Sequence, residues 1–145
     1  MPNPVPGTVV PVSSGVSPGG DQGVQGIQGP SAVAYGFTLA GRPLSSAQAN
    51  VAIPWAVTIP ANLAGTVGFQ NTICTASTIF TVNKISGGTT TALGTVTFTT
   101  ATKTSITLAG SGGSLAIGDV LQIVAPATQD TTIADLSITI LGTRT

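Results

Sequence analysis

The sequence predicts an all-β fold, an antiparallel β-sandwich or jelly roll of about eight strands, over residues 32–145. From residue 35 onward, apolar side chains alternate with threonine or serine in short segments bounded by glycine, proline or asparagine. This period of two is typical of half-buried strands. Valine and threonine, which suit a pleated surface, recur in the same segments. About eight such segments in one domain are typical of a sandwich or jelly roll.

Each strand is expected where the alternation is clearest. In chain order the segments are YGFTLAG, IPWAVTIP, STIFTVNK, GTVTFTT, SITLAG, VLQIVAP and DLSITILG, and LAGTVGFQNT could add one more. Gly87 and Gly88 predict a hairpin turn between the third and fourth segments. The side chains predicted to face the core are Phe37, Leu39, Trp55, Val57, Ile59, Phe80, Val82, Val96, Phe98, Ile106, Leu108, Leu121, Ile123, Leu136, Ile138 and Ile140.

Little other regular structure is expected. The segment LSSAQANVA at 44–52 is the nearest candidate for a helix, but Pro43 and Pro54 confine it to a turn or two. The run SGGS at 111–114 is predicted to be a turn, because it lacks the lysine and the strand–helix context of a phosphate-binding loop. Asp119, which follows Gly118, is expected in a turn as well.

Residues 1–19 predict an extended N-terminal arm. Prolines at positions 2, 4, 6, 11 and 18 exclude a helix and a central strand. The apolar side chains of this arm could be buried against a neighbouring protein, which makes it the predicted anchor; the alternative is a frayed terminus. The candidate anchoring residues are Pro4, Val5, Val9, Val10 and Val12.

Residues 20–31 have the Gly-X-Y register of collagen. Gly20, Gly23, Gly26 and Gly29 are spaced by three, and only glycine fits at the crowded axis of a triple helix. Four triplets are too few to hold three chains together, so a homotrimer would also need contacts between the flanking domains. An extended arm lying on a partner and a flexible linker are the alternatives to a triple helix.

Composition favours assembly. Charged residues make up 6% of the chain and the formal net charge is zero, whereas net charge is what keeps free proteins apart. The four basic residues are scattered, which argues against nucleic-acid binding. No apolar run approaches the ~20 residues that cross a bilayer, and residues 1–14 lack the pattern of a signal peptide. Neither a nucleic-acid nor a membrane partner is therefore expected, and assembly is expected in a cytosol.

No enzyme activity is predicted. The chain contains no histidine and no glutamate, so Ser-His-Asp and Cys-His arrangements are impossible within it. Cys74, the single cysteine, is predicted to be buried and inert. Asp130 and Asp135 could bind calcium through their carboxylate oxygens, but no ligand spacing supports this, and surface turn residues are the favoured interpretation. No catalytic residue, metal ligand or cofactor is predicted.

Tyr35 and Trp55 are the only residues of their kinds. An exposed pair of such side chains could stack on a glycan or anchor an interface. Trp55 lies in phase with Val57 and Ile59, which favours packing in the core. Tyr35 follows the Gly-X-Y segment, where a contact at a trimer axis is an alternative.

Several of these segments share a resemblance. WAVTIPANLAGTVGFQNT, STIFTVNKIS and LGTVTFTT, with the closing IGDVLQIVAPATQDTTIADLSITILGTR, resemble a β-rich domain of tailed-bacteriophage virion proteins. The collagen-like GDQGVQGIQGP ahead of them is similar to segments of phage fibres and head appendages. The resemblance covers roughly residues 20–144 and implies a structural component of the virion, with no site residue carried over.

Three functions remain open from the sequence. The favoured one is a non-enzymatic, trimeric capsid decoration (cement) protein or short head fibre, attached through residues 1–19 to the major capsid protein or another virion protein. The alternative is a tail-fibre or receptor-binding module that recognises a host surface glycan. A non-phage, collagen-like surface adhesin is the third, and the missing export signal argues against it.

Overall fold

The computed structural model describes residues 31–128 and 130–145. The predicted arm at 1–19, including Pro4, Val5, Val9, Val10 and Val12, lies outside the described residues. So do the glycines of the Gly-X-Y register, Gly20, Gly23, Gly26 and Gly29. The structure therefore bears on the predicted β-domain, which begins with a strand at Ala32.

The prediction of an all-β, antiparallel fold is confirmed. The described residues contain ten strands and one short 3₁₀ segment, Ala61–Leu63. The strands are β1 (Ala32–Leu39), β2 (Gln48–Ala52), β3 (Val57–Ile59), β4 (Val67–Thr72), β5 (Thr78–Ser86), β6 (Thr89–Phe98), β7 (Ile106–Ala109), β8 (Gly113–Leu115), β9 (Val120–Val124) and β10 (Ala134–Arg144).

The strands form two five-stranded sheets in which every pairing is antiparallel. Sheet A has the order β1-β10-β3-β8, with β4 also paired to β10. Sheet B has the order β2-β9-β5-β6-β7. Along one side β10 pairs with the whole of β1, and along the other it pairs first with β4 and then, at Thr143, with Thr58 of β3. The strand β10 thus organises sheet A.

One hydrophobic core lies between the two sheets. Phe80 and Phe98, both fully buried, meet edge to face with ring centroids 5.7 Å apart. The predicted inward faces are confirmed for most strands, because a single cluster contains the buried apolar side chains of both sheets. Its members from the predicted set are Phe37, Val57, Ile59, Phe80, Val82, Val96, Phe98, Leu121, Ile123, Leu136, Ile138 and Ile140.

The helix candidate at 44–52 is wrong. Residues 48–52 form β2, an edge strand that pairs with β9. Ala49 and Val51 are half-buried and pack against the core, whereas Gln48 and Asn50 are exposed. The segment therefore has a period of two, and long-range pairing decides its structure over local preference.

The glycine-rich run at 111–114, which was predicted to be a turn, connects the two sheets. It carries the chain from β7 in sheet B to β8 in sheet A, and Gly112 N–H donates to Leu93 O at 3.0 Å. At this crossing Gly110, with φ of +139°, packs against the backbone of Gly94, where a Cβ on either residue would collide with main-chain atoms. Two glycines thus allow β6 and the crossing segment to touch.

The antiparallel topology gives the domain two distinct ends. The loops that follow β1, β4, β6 and β9 all lie at one end, which we call the loop pole. The start of β1, the end of β10, and the turns at 53–56, 87–88 and 116–119 lie at the other, which we call the N-terminal pole. Eleven residues of β10 separate the poles by about 35 Å.

Candidate functional site

The N-terminal pole is the end at which Ser31 leads into the β-domain. Arg144 N–H donates to Ser31 O at 2.9 Å, and Thr145 N–H donates to Ala56 O at 3.1 Å. The ladder between β1 and β10 begins at once, with Ala32 opposite Thr143. Ser31 is therefore held by the sheet, and only Pro30 separates it from the last glycine of the register.

Trp55 lies at this pole and not in the core. Its side chain is 39% exposed, and the Arg144 guanidinium lies 4.7 Å from its ring centroid, within cation–π range. The prediction that Trp55 packs in the core is wrong because β3 begins only at Val57. Val57 and Ile59 are buried as expected, but Trp55 precedes the strand in a loop.

Tyr35 is buried, in contrast to Trp55. Its hydroxyl has no hydrogen-bond partner among the described residues. Burial raises the pKa of the Tyr35 phenol, and the nearby Trp55 side chain offsets part of that rise without reaching hydrogen-bond geometry. The exposed pair of aromatic rings that stacking on a glycan would need does not form, since only one of the two is accessible.

At the loop pole, the Asp130 carboxylate joins two loops. Its Oδ2 accepts hydrogen bonds from Thr75 N–H (2.9 Å), Thr75 Oγ1 (2.7 Å) and Ala76 N–H (2.7 Å). Its Oδ1 accepts from Thr132 N–H (2.8 Å), Ile133 N–H (3.1 Å) and the Thr132 hydroxyl. The loop between β4 and β5 is thereby tied to the loop that precedes β10.

These donors control the charge of Asp130. Desolvation would raise the pKa of Asp130, but hydrogen bonds from Thr132, Thr75 and Ala76 outweigh it and hold the pKa far below its ordinary value. The carboxylate is thus ionised and its oxygens are occupied by N–H and O–H groups. Asp135 Oδ1 likewise accepts from Gly41 N–H at 2.7 Å. Both aspartates serve as structural acceptors, Asp130 in the loop before β10 and Asp135 as the second residue of β10, which favours a structural role over calcium binding.

A buried amide completes this end of the domain. Gln70 is fully buried on β4. Its Nε2 donates to Thr99 O (2.9 Å) and Thr102 O (3.2 Å), and its Oε1 accepts from Cys74 N–H (3.0 Å). Cys74 is buried and unpaired, as predicted. Because every polar group of Gln70 has a partner, its burial on β4 is stable.

Two open clefts flank the loop that follows β9. One, of about 570 Å³, is lined by Arg42, Pro43, Leu44, Ser45, Ala127 and Thr128. The other, of about 330 Å³, also includes Thr128 in its lining and is formed partly by Ile79 and Asp130. Within residues 31–128 and 130–145, no cluster of three or more His, Cys, Asp or Glu side chains could hold a metal ion.

Asp119 stabilises a turn at the N-terminal pole, as its position after Gly118 predicts. Its Oδ2 accepts from Ala116 N–H at 2.8 Å, and its own N–H donates to Ala116 O at 3.1 Å. The neighbouring Ser86 hydroxyl and the Ala116 N–H lower the pKa of Asp119. Its carbonyl also accepts from Ile53 N–H at 2.8 Å, so this turn supports the loop that carries Trp55.

Comparison of the chain with protein-family models found no match, and a search of curated proteins found none either. In the part of the chain that the structure describes, no helix has the length and apolar character needed to span a bilayer. The arrangement of the two poles is therefore the main structural evidence that bears on function.

Sequence reasoning missed two features of the poles. The contact between Arg144 and Trp55 joins residues that are 89 positions apart in the chain, and no local sequence pattern predicts it. The role of Asp130 depends on donors from a loop more than 50 positions away. A signal existed only for its own turn, since an aspartate in a loop commonly accepts a hydrogen bond from the backbone N–H two residues further on.

Proposed function

We propose that this chain is a non-enzymatic structural protein of a bacteriophage particle, a homotrimeric capsid decoration protein or short head fibre. Residues 1–19 attach it to the major capsid protein or another virion protein, and residues 20–31 join three chains. The β-domain forms the exposed knob. Its place is the virion surface, after assembly in the host cytoplasm.

The geometry of the N-terminal pole is the observation that carries this proposal. Ser31 is bonded to Arg144 at the end of sheet A, so a segment joined to it emerges from one pole of an elongated domain. The four long loops lie at the opposite pole. An anchor before Ser31 would hold one end of the domain to a larger body and present the loops outward.

We further propose that the domain is a jelly-roll sandwich. If β3 with β4 and β7 with β8 each count as one strand, the eight strands have sheet orders 1-8-3-6 and 2-7-4-5-6, in which the sixth strand begins in sheet B and ends in sheet A. This order supports two interlocking Greek keys. The jelly roll is common in capsid proteins, although a shared fold does not by itself establish a function.

The exposed chemistry supports a structural role. The chain has neither histidine nor glutamate, and Asp119, Asp130 and Asp135 are each engaged by backbone N–H donors. General acid–base catalysis needs titratable groups that can reach a substrate. The side chains that remain at the surface are chiefly threonine, serine, alanine and amides.

A second candidate, a tail-fibre module that recognises a host glycan, is favoured by one observation. The two clefts lie at the loop pole, farthest from Ser31. Arg42, Ser45 and Thr128 could supply hydrogen-bond donors there. The earlier candidates for stacking, Tyr35 and Trp55, are not part of these clefts.

Cryo-electron microscopy of purified particles, with antibody against the β-domain as a label, tests both candidates. Trimeric density on the head, labelled by the antibody, is the result expected for a decoration protein or head fibre. Label confined to the tail would support the second candidate instead. Intact particles that carry no label at all would overturn both.

A further inference from the structure

We propose that the outward face of sheet A is the surface on which copies of this chain pack against one another. This face consists of the outward side chains of β1, β4, β3 and β8 and of residues 137–143 of β10, and its occupant is a second copy of the β-domain. The inference rests on the trimer of the proposed function and specifies which surface closes it.

Between Ser137 and Thr143 of β10 the face is uncharged and partly apolar, and the exposed Asp135 lies beyond it at the loop pole. Cross-strand register defines its rows: Thr38, Ser137 and Phe69; Gly36, Thr139 and Val67; Ala34 and Leu141; Ala32, Thr143, Thr58 and Ser114. None of these side chains is charged. On β1, an edge strand, they are no larger than threonine. A second chain could therefore approach closely without burying a charge.

Strand β4 gives the most specific argument, because its hydropathic pattern is inverted. Val67 and Phe69 are 61% and 41% exposed on the outward side, whereas Gly68 and Gln70 face the core. The inversion is fixed by the three hydrogen bonds of Gln70 and by the close contact of Gly68 with Phe98 and Ile106. A strand with apolar side chains turned outward suits a second apolar environment.

The opposite face of the domain, the outward side of sheet B, carries a row of hydrogen-bonded amides. On the outward side of sheet B, Asn83 Nδ2 donates to Gln122 Oε1 at 3.2 Å, and Gln122 Nε2 donates to Gln48 Oε1 at 3.1 Å. Thr81 and Thr95 lie beside this row of amides. Hydrogen-bonded amides and threonines tolerate water, and Ile79 is the most exposed large apolar side chain on this side, whereas Val67 and Phe69 lie together on sheet A.

The position of the Gly-X-Y segment identifies the partner as another copy. Only Pro30 and Ser31 separate Gly29 from Ala32, and the three residue steps between them span at most roughly 11 Å. If three chains wind together as far as Gly29, three copies of β1 must begin close to the same axis. Since Ala32 belongs to the uncharged face, that face and its neighbours are then brought together.

Val67→Asp in the full chain tests the proposal. The side chain is exposed in the single domain, so the variant is expected to fold, and far-ultraviolet circular dichroism checks this. A carboxylate buried between copies is expected to raise the dissociation constant of the trimer at least about 100-fold, because a buried charge without a partner is costly. Analytical ultracentrifugation over a dilution series measures it.

Ile79→Asp is the matched control, because Ile79 is 50% exposed on the outward side of sheet B. It should leave the dissociation constant within about threefold of the wild-type value. Ala34→Lys on β1 is a second test and should weaken the trimer if Val67→Asp fails to fold. A trimeric wild type that neither variant weakens would overturn this inference alone. A wild type that stays monomeric would overturn the proposed trimer as well.

Discussion

Asp130 accepts six hydrogen bonds, which makes it the most heavily engaged side chain in the described residues. We expect Asp130→Asn to lower the free energy of unfolding by at least about 2 kcal/mol, because an amide NH₂ would face N–H donors. Urea unfolding at pH 7 measures this. Asp135→Asn is the control and should cost less, since Asp135 Oδ1 accepts one hydrogen bond, from Gly41. Equal losses would contradict the interpretation.

The same carboxylate predicts how stability depends on pH. The folded pKa of Asp130 is depressed, so its contribution is complete above the unfolded value of about 3.9. As the pH falls below about 4, the unfolded chain binds a proton that the folded chain does not, and stability is lost until the folded carboxyl is itself protonated. The acid limb of a plot of stability against pH should be shallower for Asp130→Asn. Asp119 keeps part of the slope, because its pKa is also lowered. An unchanged slope would contradict this.

Phe98 tests the assignment of the core. It is fully buried, contacts Phe80 edge to face, and lies where a Cβ on Gly68 would touch it. Phe98→Ala should cost about 3–5 kcal/mol of unfolding free energy, from lost burial and the cavity that remains. Ile79→Ala, at an exposed position on the neighbouring strand β5, should cost less than about 1 kcal/mol. Chemical denaturation of both variants measures these losses of unfolding free energy. A small loss for Phe98→Ala would mean that the faces of β6 are reversed.

Among the elements, long strands with strict alternation were predictable and short or inverted ones were not. The inward faces of β5, β6, β9 and β10 followed from sequence because burial on one side demands a period of two. Strand β8 has only three residues, and its partner β3 is more than 50 positions away. In β4, alternation alone would place Val67 and Phe69 inside, and only the partners of Gln70, in a later loop, reverse it.

The Gly-X-Y segment yields a prediction at the same scale, although it lies outside the described residues. Gly26→Ala should lower the melting temperature of the trimer if three chains wind there, because no side chain fits the axis. Gln28→Ala, at the Y position of the same triplet, where a side chain would point away from the triple-helix axis, is the control and should have little effect. Light scattering during heating measures dissociation. Equal melting of the two variants would favour an extended arm that lies on a partner.

For the whole molecule, the difference between the loop pole and the N-terminal pole matters more than any single site. The candidate aromatics could be found from sequence because Tyr35 and Trp55 are unique. Their separation into a buried and an exposed residue depends on where β3 begins, which local patterns did not define. The two poles follow from strand order alone, and strand order is set by long-range pairing that no local motif encodes.

Two exposed apolar side chains at opposite poles allow a test of which end of the domain faces the particle. Leu44, 79% exposed, lies at the loop pole, and Ile117, 73% exposed, lies in the turn at the N-terminal pole. If the chain is anchored through residues 1–19, a maleimide reagent should label Leu44→Cys on assembled particles as fast as on the purified protein. Ile117→Cys should react several times more slowly on particles, because the body beneath shields it. The wild-type chain is the control, since its only thiol, Cys74, is buried and should stay unlabelled. Faster labelling at position 117 than at 44 would mean that the domain is attached by its loops.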